Sequence, residues 1–348
     1  MATYDTIAGL PLEVESYELQ AVERPVSSGF VRHTTVVSLL GGGEEGRGED
    51  VTYEVDEHER LRNGAIHDLT GASTFQGFSE LVGSLDLFPD GPPEVPARRY
   101  YRRWAFESAA LDLALRQAGR SLADAVGRAP GPVRFVVSRR LPKPPSVEPL
   151  RTILDVHPAT QFKLDPTSEW TAEIVAELAE LDAVEVLDLK GACRGTAVDQ
   201  PPDPRLYRLV AEAFPEAVIE DPDLVDPGTA EALAPHRDRI SWDAVIHSVG
   251  EITELPFAPS WLNVKPSRFG SCSALFDTYD YCAANDITMY GGGQFELSVG
   301  RRQIQTLASI FHAEGPNDVA PLGYDGETVE PGTPASPLPP NGSTIGFG

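Results

Sequence analysis

Apolar and polar positions follow two different rhythms along this chain. Up to about residue 125, stretches such as His33 to Leu40 and Asp50 to Val55 alternate with the period of two that a half-buried strand requires. They flank a Gly/Glu-rich run, Gly41 to Gly48, so the pattern predicts a β-hairpin with these glycines in its turn. The run lacks a following Gly-Lys-Ser/Thr, which sets aside a phosphate loop. From Tyr100 to Gln117 the period becomes helical, with Trp104, Leu111 and Leu115 on one face and Gly119 as a C-terminal stop. This helix is expected to close an N-terminal domain spanning residues 1 to 125.

From about Val133 short β-branched or apolar runs alternate with helical stretches. The strands predicted are Val133 to Val137, Gln161 to Leu164, Val184 to Leu187, Ala217 to Ile219, Arg239 to Trp242, Trp261 to Val264 and Ile287 to Tyr290, with a weaker one near Val319. Ile174, Val175, Leu178 and Leu181 form one helical stripe between them, and Leu206, Leu209, Val210 and Phe214 another. Asp203 and Asp226 each precede a proline, the order expected of an N-cap followed by Pro at the first helical position. Alternation of strand and helix means parallel pairing, and about eight such units close an α/β barrel with chemistry at the C-terminal strand ends. The barrel domain is expected over 126 to 325. The Pro/Gly-rich tail, 326 to 348, is expected to pack back on the N-terminal domain. Trp170, Trp242 and Trp261 are expected to pack around the barrel.

The 348 residues, 41% of them hydrophobic, suffice for a large core with a smaller partner domain. Twenty-eight basic against 53 acidic residues give a net charge of -25, which argues against nucleic acid or an anionic membrane as partner. No apolar run reaches membrane-spanning length and residues 1 to 30 lack a signal-peptide pattern, so a cytoplasmic location is expected. Self-association is left open. Cys193, Cys272 and Cys282 are odd in number and without CxxC spacing, which favours reduced, packed thiols.

Charge changes the picture most where strands end. Lys163, Asp188, Glu220, Asp243 and Lys265 stand at the ends of five successive predicted strands, spaced 22 to 32 residues apart, about one strand-helix unit each. Three carboxylates on adjacent strands form an oxygen cage of the kind magnesium accepts, with manganese as an alternative. Lysines on either flank then face opposite sides of a carboxylate substrate. Removing a proton next to a carboxylate creates an enediolate whose charge must be met as it forms. A lysine base must be neutral, and burial with nearby positive charge is expected to lower its pKa. Asp221 reads as a turn residue and His247 as a structural histidine.

These residues, with Ile219-Glu220-Asp221-Pro222 and Gly291-Gly292-Gly293-Gln294-Phe295-Glu296-Leu297-Ser298-Val299-Gly300-Arg301, resemble the muconate-lactonizing enzyme-like branch of the enolase superfamily, the mandelate racemase/muconate lactonizing enzyme family. The resemblance implies an N-terminal α+β capping domain, a modified TIM barrel, (β/α)7β, bound magnesium, and Lys163 and Lys265 as catalytic groups. It further implies a lyase or isomerase carrying out epimerization, dehydration or cycloisomerization of a small-molecule carboxylate, o-succinylbenzoate synthase-like chemistry included. Loops near Tyr17 to Arg32 are implied to close over the site, and Glu296 to contact substrate. Two departures stand out. Where the family carries Lys-x-Lys this chain has Lys163 and Asp165, and where it commonly has Asn it has Lys190; both Asp165 and Lys190 become candidate substrate contacts. If Lys163 fills the second lysine's place, two-base chemistry is open; if the first, Asp165 replaces one base and Lys265 works alone. Other metal-dependent barrels, such as aldolases and hydrolases, would more often show histidine ligands. A barrel that has lost catalysis and serves as a binding or scaffold protein is the rival from another class.

Overall fold

The structure is a computed structural model that describes residues 2–26, 30–64, 68–192, 194, 199–326 and 328–348. Cys193 lies outside the described residues; Cys272 and Cys282 are free and buried. The N-terminal part holds β1 (Pro11–Val14), β2 (Ser16–Pro25), β3 (Val31–Gly41), β4 (Glu44–Asp50) and β5 (Gly71–Thr74). β2, β3 and β4 form an antiparallel sheet, and β1 pairs with β5.

The expected hairpin exists, but its parts lie elsewhere. Its turn is Gly42-Gly43 alone, both at positive φ, and Glu44 to Asp50 form the returning strand, whereas Val55 opens a helix. The remaining glycines serve contact rather than turning. A Cβ on Gly46 would lie 2.2 Å from the backbone nitrogen of Leu113, and one on Gly48 only 2.0 Å from the carbonyl oxygen of Ala105. The Arg98–Gln117 helix therefore lies directly on β4. It ends as its sequence predicts: Gly119 adopts φ +63, and the N–H groups of Gly119 and Arg120 return to the carbonyls of Arg116 and Leu115.

The second part holds β6 (Val136–Arg139), β7 (Gln161–Leu164), β8 (Val184–Asp188), β9 (Val218–Glu220), β10 (Ile240–Trp242), β11 (Trp261–Val264) and β12 (Thr288–Gly291). All seven are parallel and stand in sequence order. The strand expected near Val319 is replaced by a shorter device. Asn317 bridges Phe135 at one edge of the sheet and Asp318 bridges Gly292 at the other, filling the eighth place in the ring. Pro316 and Pro321 bracket this segment, and proline cannot donate to a ladder. The Asn317 side chain does part of the missing pairing: it accepts from Gly291 N (2.7 Å) and donates to the carbonyls of Arg134, His312 and Gly315.

Asp203 and Asp226 cap their helices as expected, accepting from Leu206 N and Thr229 N. Trp170 and Trp242 are buried, while Trp261 is partly so. In the tail, Leu338 bridges Val133, and Phe347 is buried against Trp104 with its N–H donated to Asp112. Among the described residues no helix is long and apolar enough to cross a membrane.

Candidate active site

Strand alternation builds the site in layers. On β8, Val186 and Asp188 share a face, as do Val218 and Glu220 on β9. Val186, Val218 and Tyr290 form a small apolar cluster of their own, with Trp261 against it, apart from the main core that faces the helices. The next layer toward the C-terminal strand ends is ionic. Lys163, Asp188, Glu220, Asp243 and Lys265 are all buried and paired with one another. The five strand-end charges are thus brought together.

Lys163 is the inner cation. Its Nζ lies 2.5 Å from Glu220 Oε1, 3.2 Å from Asp188 Oδ2 and 3.7 Å from Asp318. The other Glu220 oxygen accepts from Tyr290 Oη (2.5 Å) and Asn263 Nδ2 (3.2 Å). Burial first, then the charges of Asp188 and Asp243, push Glu220 up to about 8 against the pull of Lys163. Burial would lower Lys163, but Glu220 and Asp188 outweigh it and hold the ammonium well above the ordinary lysine range. The lysine direction governs this pair, because three donors around Glu220 favour its ionised form.

On the far flank Lys265 Nζ donates to Asp243 Oδ2 at 2.8 Å, and Arg268 Nε lies 2.9 Å from Asp243 Oδ1, off the hydrogen-bond direction. Against burial, Arg268 and then Lys265 hold Asp243 well below the usual carboxylate range. Lys265 itself is raised, since Asp243 outweighs its desolvation. The expected lowering of a lysine pKa is therefore reversed at both lysines: each buried ammonium touches a carboxylate, and that charge overrides burial. Asp221, at φ +45, accepts from the N–H groups of Asp243 and Ala244 at 2.8 Å and so sets the turn that carries Asp243.

The two departures meet at the rim. Asp165 lies one alternation step beyond Lys163, partly exposed, 3.5 Å from Lys190 Nζ and 3.7 Å from Arg140. Lys190 adopts φ +55, a left-handed conformation costing on the order of 1 kcal/mol or more for a residue with a Cβ. The turn lets it grip Asp188 twice, its N–H on Oδ1 at 3.2 Å and its ammonium on Oδ2. Burial pushes the Asp165 carboxyl up, while Lys190 and Lys163 together hold Asp188 far down against its own desolvation.

Other candidates turn to structural tasks. Both Glu296 oxygens accept from Gln294 N within its own loop, and Arg301 donates to the carbonyls of Glu296 and Ala320. His247 pairs with Glu251 and stacks on Tyr100, as a structural histidine should. Arg268, Tyr290, Asn263 and Asp318 join the site without having been singled out by their sequence context. Asn263 and Tyr290 follow from strand alternation with Lys265 and the lumen layer, whereas Arg268 sits on the short Pro266–Phe269 helix, where no strand rule applies.

The N-terminal part covers this end of the barrel. Arg32 donates to Gln294 O at 3.0 Å, Tyr53 Oη reaches Gln294 Oε1 at 3.0 Å, and the Glu49 carboxylate accepts from Leu297, Ser298 and Gly300 N–H. The closing loops expected over Tyr17 to Arg32 are mostly sheet instead, because Ser16–Pro25 (β2) pairs antiparallel with β3 from Val31 on; only Phe30, just before β3, meets Phe295 of the loop after β12, edge-on at 6.1 Å. Residues 27–29 lie outside the described residues.

A divalent ion needs carboxylate oxygens that are free to coordinate it. Three strand-end carboxylates are the right ligand type, yet both oxygens of Asp188 and Glu220 already accept from the protein. Among the described residues, no group of three His, Cys, Asp or Glu is placed to hold one ion. As arranged, the set does not fit.

Comparison with known proteins adds the family. The family model for the C-terminal domain of DUF8230, described as a domain of unknown function, matches residues 129–326, and that for its N-terminal domain matches residues 5–125. No curated protein matches the chain by sequence. Among solved structures, a member of the enolase superfamily from Listeria innocua Clip11262 is 20% identical, with a TM-score of 0.65 over 89% of this chain and 86% of that one. A dipeptide epimerase from Methylococcus capsulatus, complexed with Mg ion, is 19% identical, with a TM-score of 0.66 over 88% and 90%. A dipeptide epimerase from Enterococcus faecalis V583 is 16% identical, with a TM-score of 0.69 over 97% and 99%. The chain belongs to the DUF8230 family, and its fold, a seven-stranded parallel barrel sheet under an α+β cap, is that of the enolase superfamily.

Proposed function

We propose that this protein is an enzyme that removes the proton next to the carboxylate of a small molecule. The observation that carries the reading is the convergence of Lys163, Asp188, Glu220, Asp243 and Lys265 from five successive strand ends into one buried ionic layer with Asp165 and Lys190 at its rim. Asp165 is the proton acceptor: it stands at the rim beside Lys190, and burial raises its carboxyl above the ordinary aspartate range, which makes it a stronger base. The C–H bond breaks, its electron pair moves toward the carboxyl carbon, and the resulting enediolate dianion is met by the ammonium groups. Lys265 comes from β11, across an eight-place ring from β7, and remains charged. It returns a proton to the opposite face, which gives epimerization; loss of a leaving group or ring closure from the same enediolate gives dehydration or cycloisomerization. Lys163, fixed on Glu220 and Asp188, supplies charge rather than a proton.

A second reading places magnesium, or manganese, on Asp188, Glu220 and Asp243. The buried Asp243 Oδ1, which accepts no hydrogen bond, and the magnesium of the Methylococcus capsulatus neighbour favour it. It requires Lys163 and Lys190 to leave their carboxylates.

The reading is tested by binding of nitronates, which carry the planar dianion-like geometry of the enediolate. A nitronate analogue of a true substrate is expected to bind at least about 100-fold more tightly than the parent carboxylate, because catalysis is differential binding. Equal affinity across a broad set of nitronate and carboxylate pairs would contradict the reading.

A further inference from the structure

We propose that the Lys190 ammonium stands where the acidic strand-end set would otherwise hold a divalent ion, so that the site binds its anionic substrate without one. What the site binds rests on the function proposed above; the exclusion of the ion rests on geometry alone.

Lys190 is locked to Asp188 by the shape of the chain. Its left-handed backbone, φ +55, turns both its N–H and its ammonium onto the carboxylate two residues before it. Lys163 approaches the same Asp188 oxygen at 3.2 Å, and Asp165 supports the Lys190 ammonium at 3.5 Å on its other side. An ion coordinated by Asp188 would lie about 2.1 Å from a carboxylate oxygen, within contact distance of two ammonium groups. The exchange is also stereochemically coherent: with an acid at 165 and a base at 190, the rim keeps one cation and one anion in mutual contact. A substrate carboxylate is then held by N–H donors, with no chelating second oxygen required of it.

Titration calorimetry with magnesium chloride alone on the full chain separates the possibilities. The wild type is expected to show no saturable site. Lys190→Asn should create one, at least about 10-fold tighter than the diffuse surface binding of the wild type, and Asp188→Asn added to that variant should remove it. Binding of ions to the acidic surface is common to all three proteins and cancels. Lys190→Gln replaces the Asn variant should that fail to fold. Manganese electron paramagnetic resonance on the wild type decides independently, since a stoichiometric bound ion there overturns the proposal. So does a Lys190→Asn protein that folds yet gains no site. No substrate enters these measurements, so their failure is distinct from failure of nitronate binding.

Discussion

Asp165 and Lys190 are in contact at the rim of the buried ionic layer, and the proposed chemistry rests on them. Asp165→Asn keeps the side-chain volume but removes the basic oxygen, and is expected to lower the rate of α-proton exchange by about 10²- to 10⁴-fold in an NMR exchange assay, with unchanged circular dichroism. The five inner charges were legible because a period of two and the strand-helix repeat place strand-end residues on one rim. What could not be read was their mutual pairing. Lys163 and Lys265 were expected as neutral bases, but carboxylate contact holds both charged. A third residue offers a pH test. Burial lowers His312 to about 4 while its Nδ1 faces Asn317 Oδ1 at 2.6 Å. A folded-state pKa below the unfolded value means that the unfolded chain binds more protons, so stability from this group is intact above about 6.5 and is lost as pH falls toward about 4. Urea unfolding of wild type and His312→Gln between these limits should show the wild type losing stability faster.

At the scale of elements, the glycines of β4 show where pattern reading fails. Gly41 to Gly48 resembles a turn by composition, yet Gly46 and Gly48 are spacers between a strand and a helix. No local signal separates the two uses, because the colliding atoms come from residues 105 to 113. Gly48→Ala is expected to destabilise the fold by about 1–3 kcal/mol through overpacking, measured by chemical denaturation. The β7 to β12 strands were legible because each has a helix between it and the next, so local period and tertiary burial agree. The eighth strand was not. Its place is filled by a two-residue bridge and the Asn317 side chain, which carry no periodicity.

Across the whole molecule, the tail and the cap hold the barrel from outside. Phe347→Ala, which empties a buried site against Trp104, is expected to cost about 3–5 kcal/mol in equilibrium unfolding. The net charge of -25 adds self-repulsion, so the midpoint of thermal unfolding should rise with potassium chloride as screening increases. Two family models covering residues 5–125 and 129–326, together with structural neighbours of the enolase superfamily, place the architecture. The most direct test is deuterium incorporation at the α-carbon of carboxylates incubated with the protein in deuterated water. Exchange by the wild type, slowed by about 10²- to 10⁴-fold in Asp165→Asn and strongly reduced in Lys265→Met, is the predicted result. Undiminished exchange in Asp165→Asn, or none from the wild type across a broad carboxylate library, would contradict it.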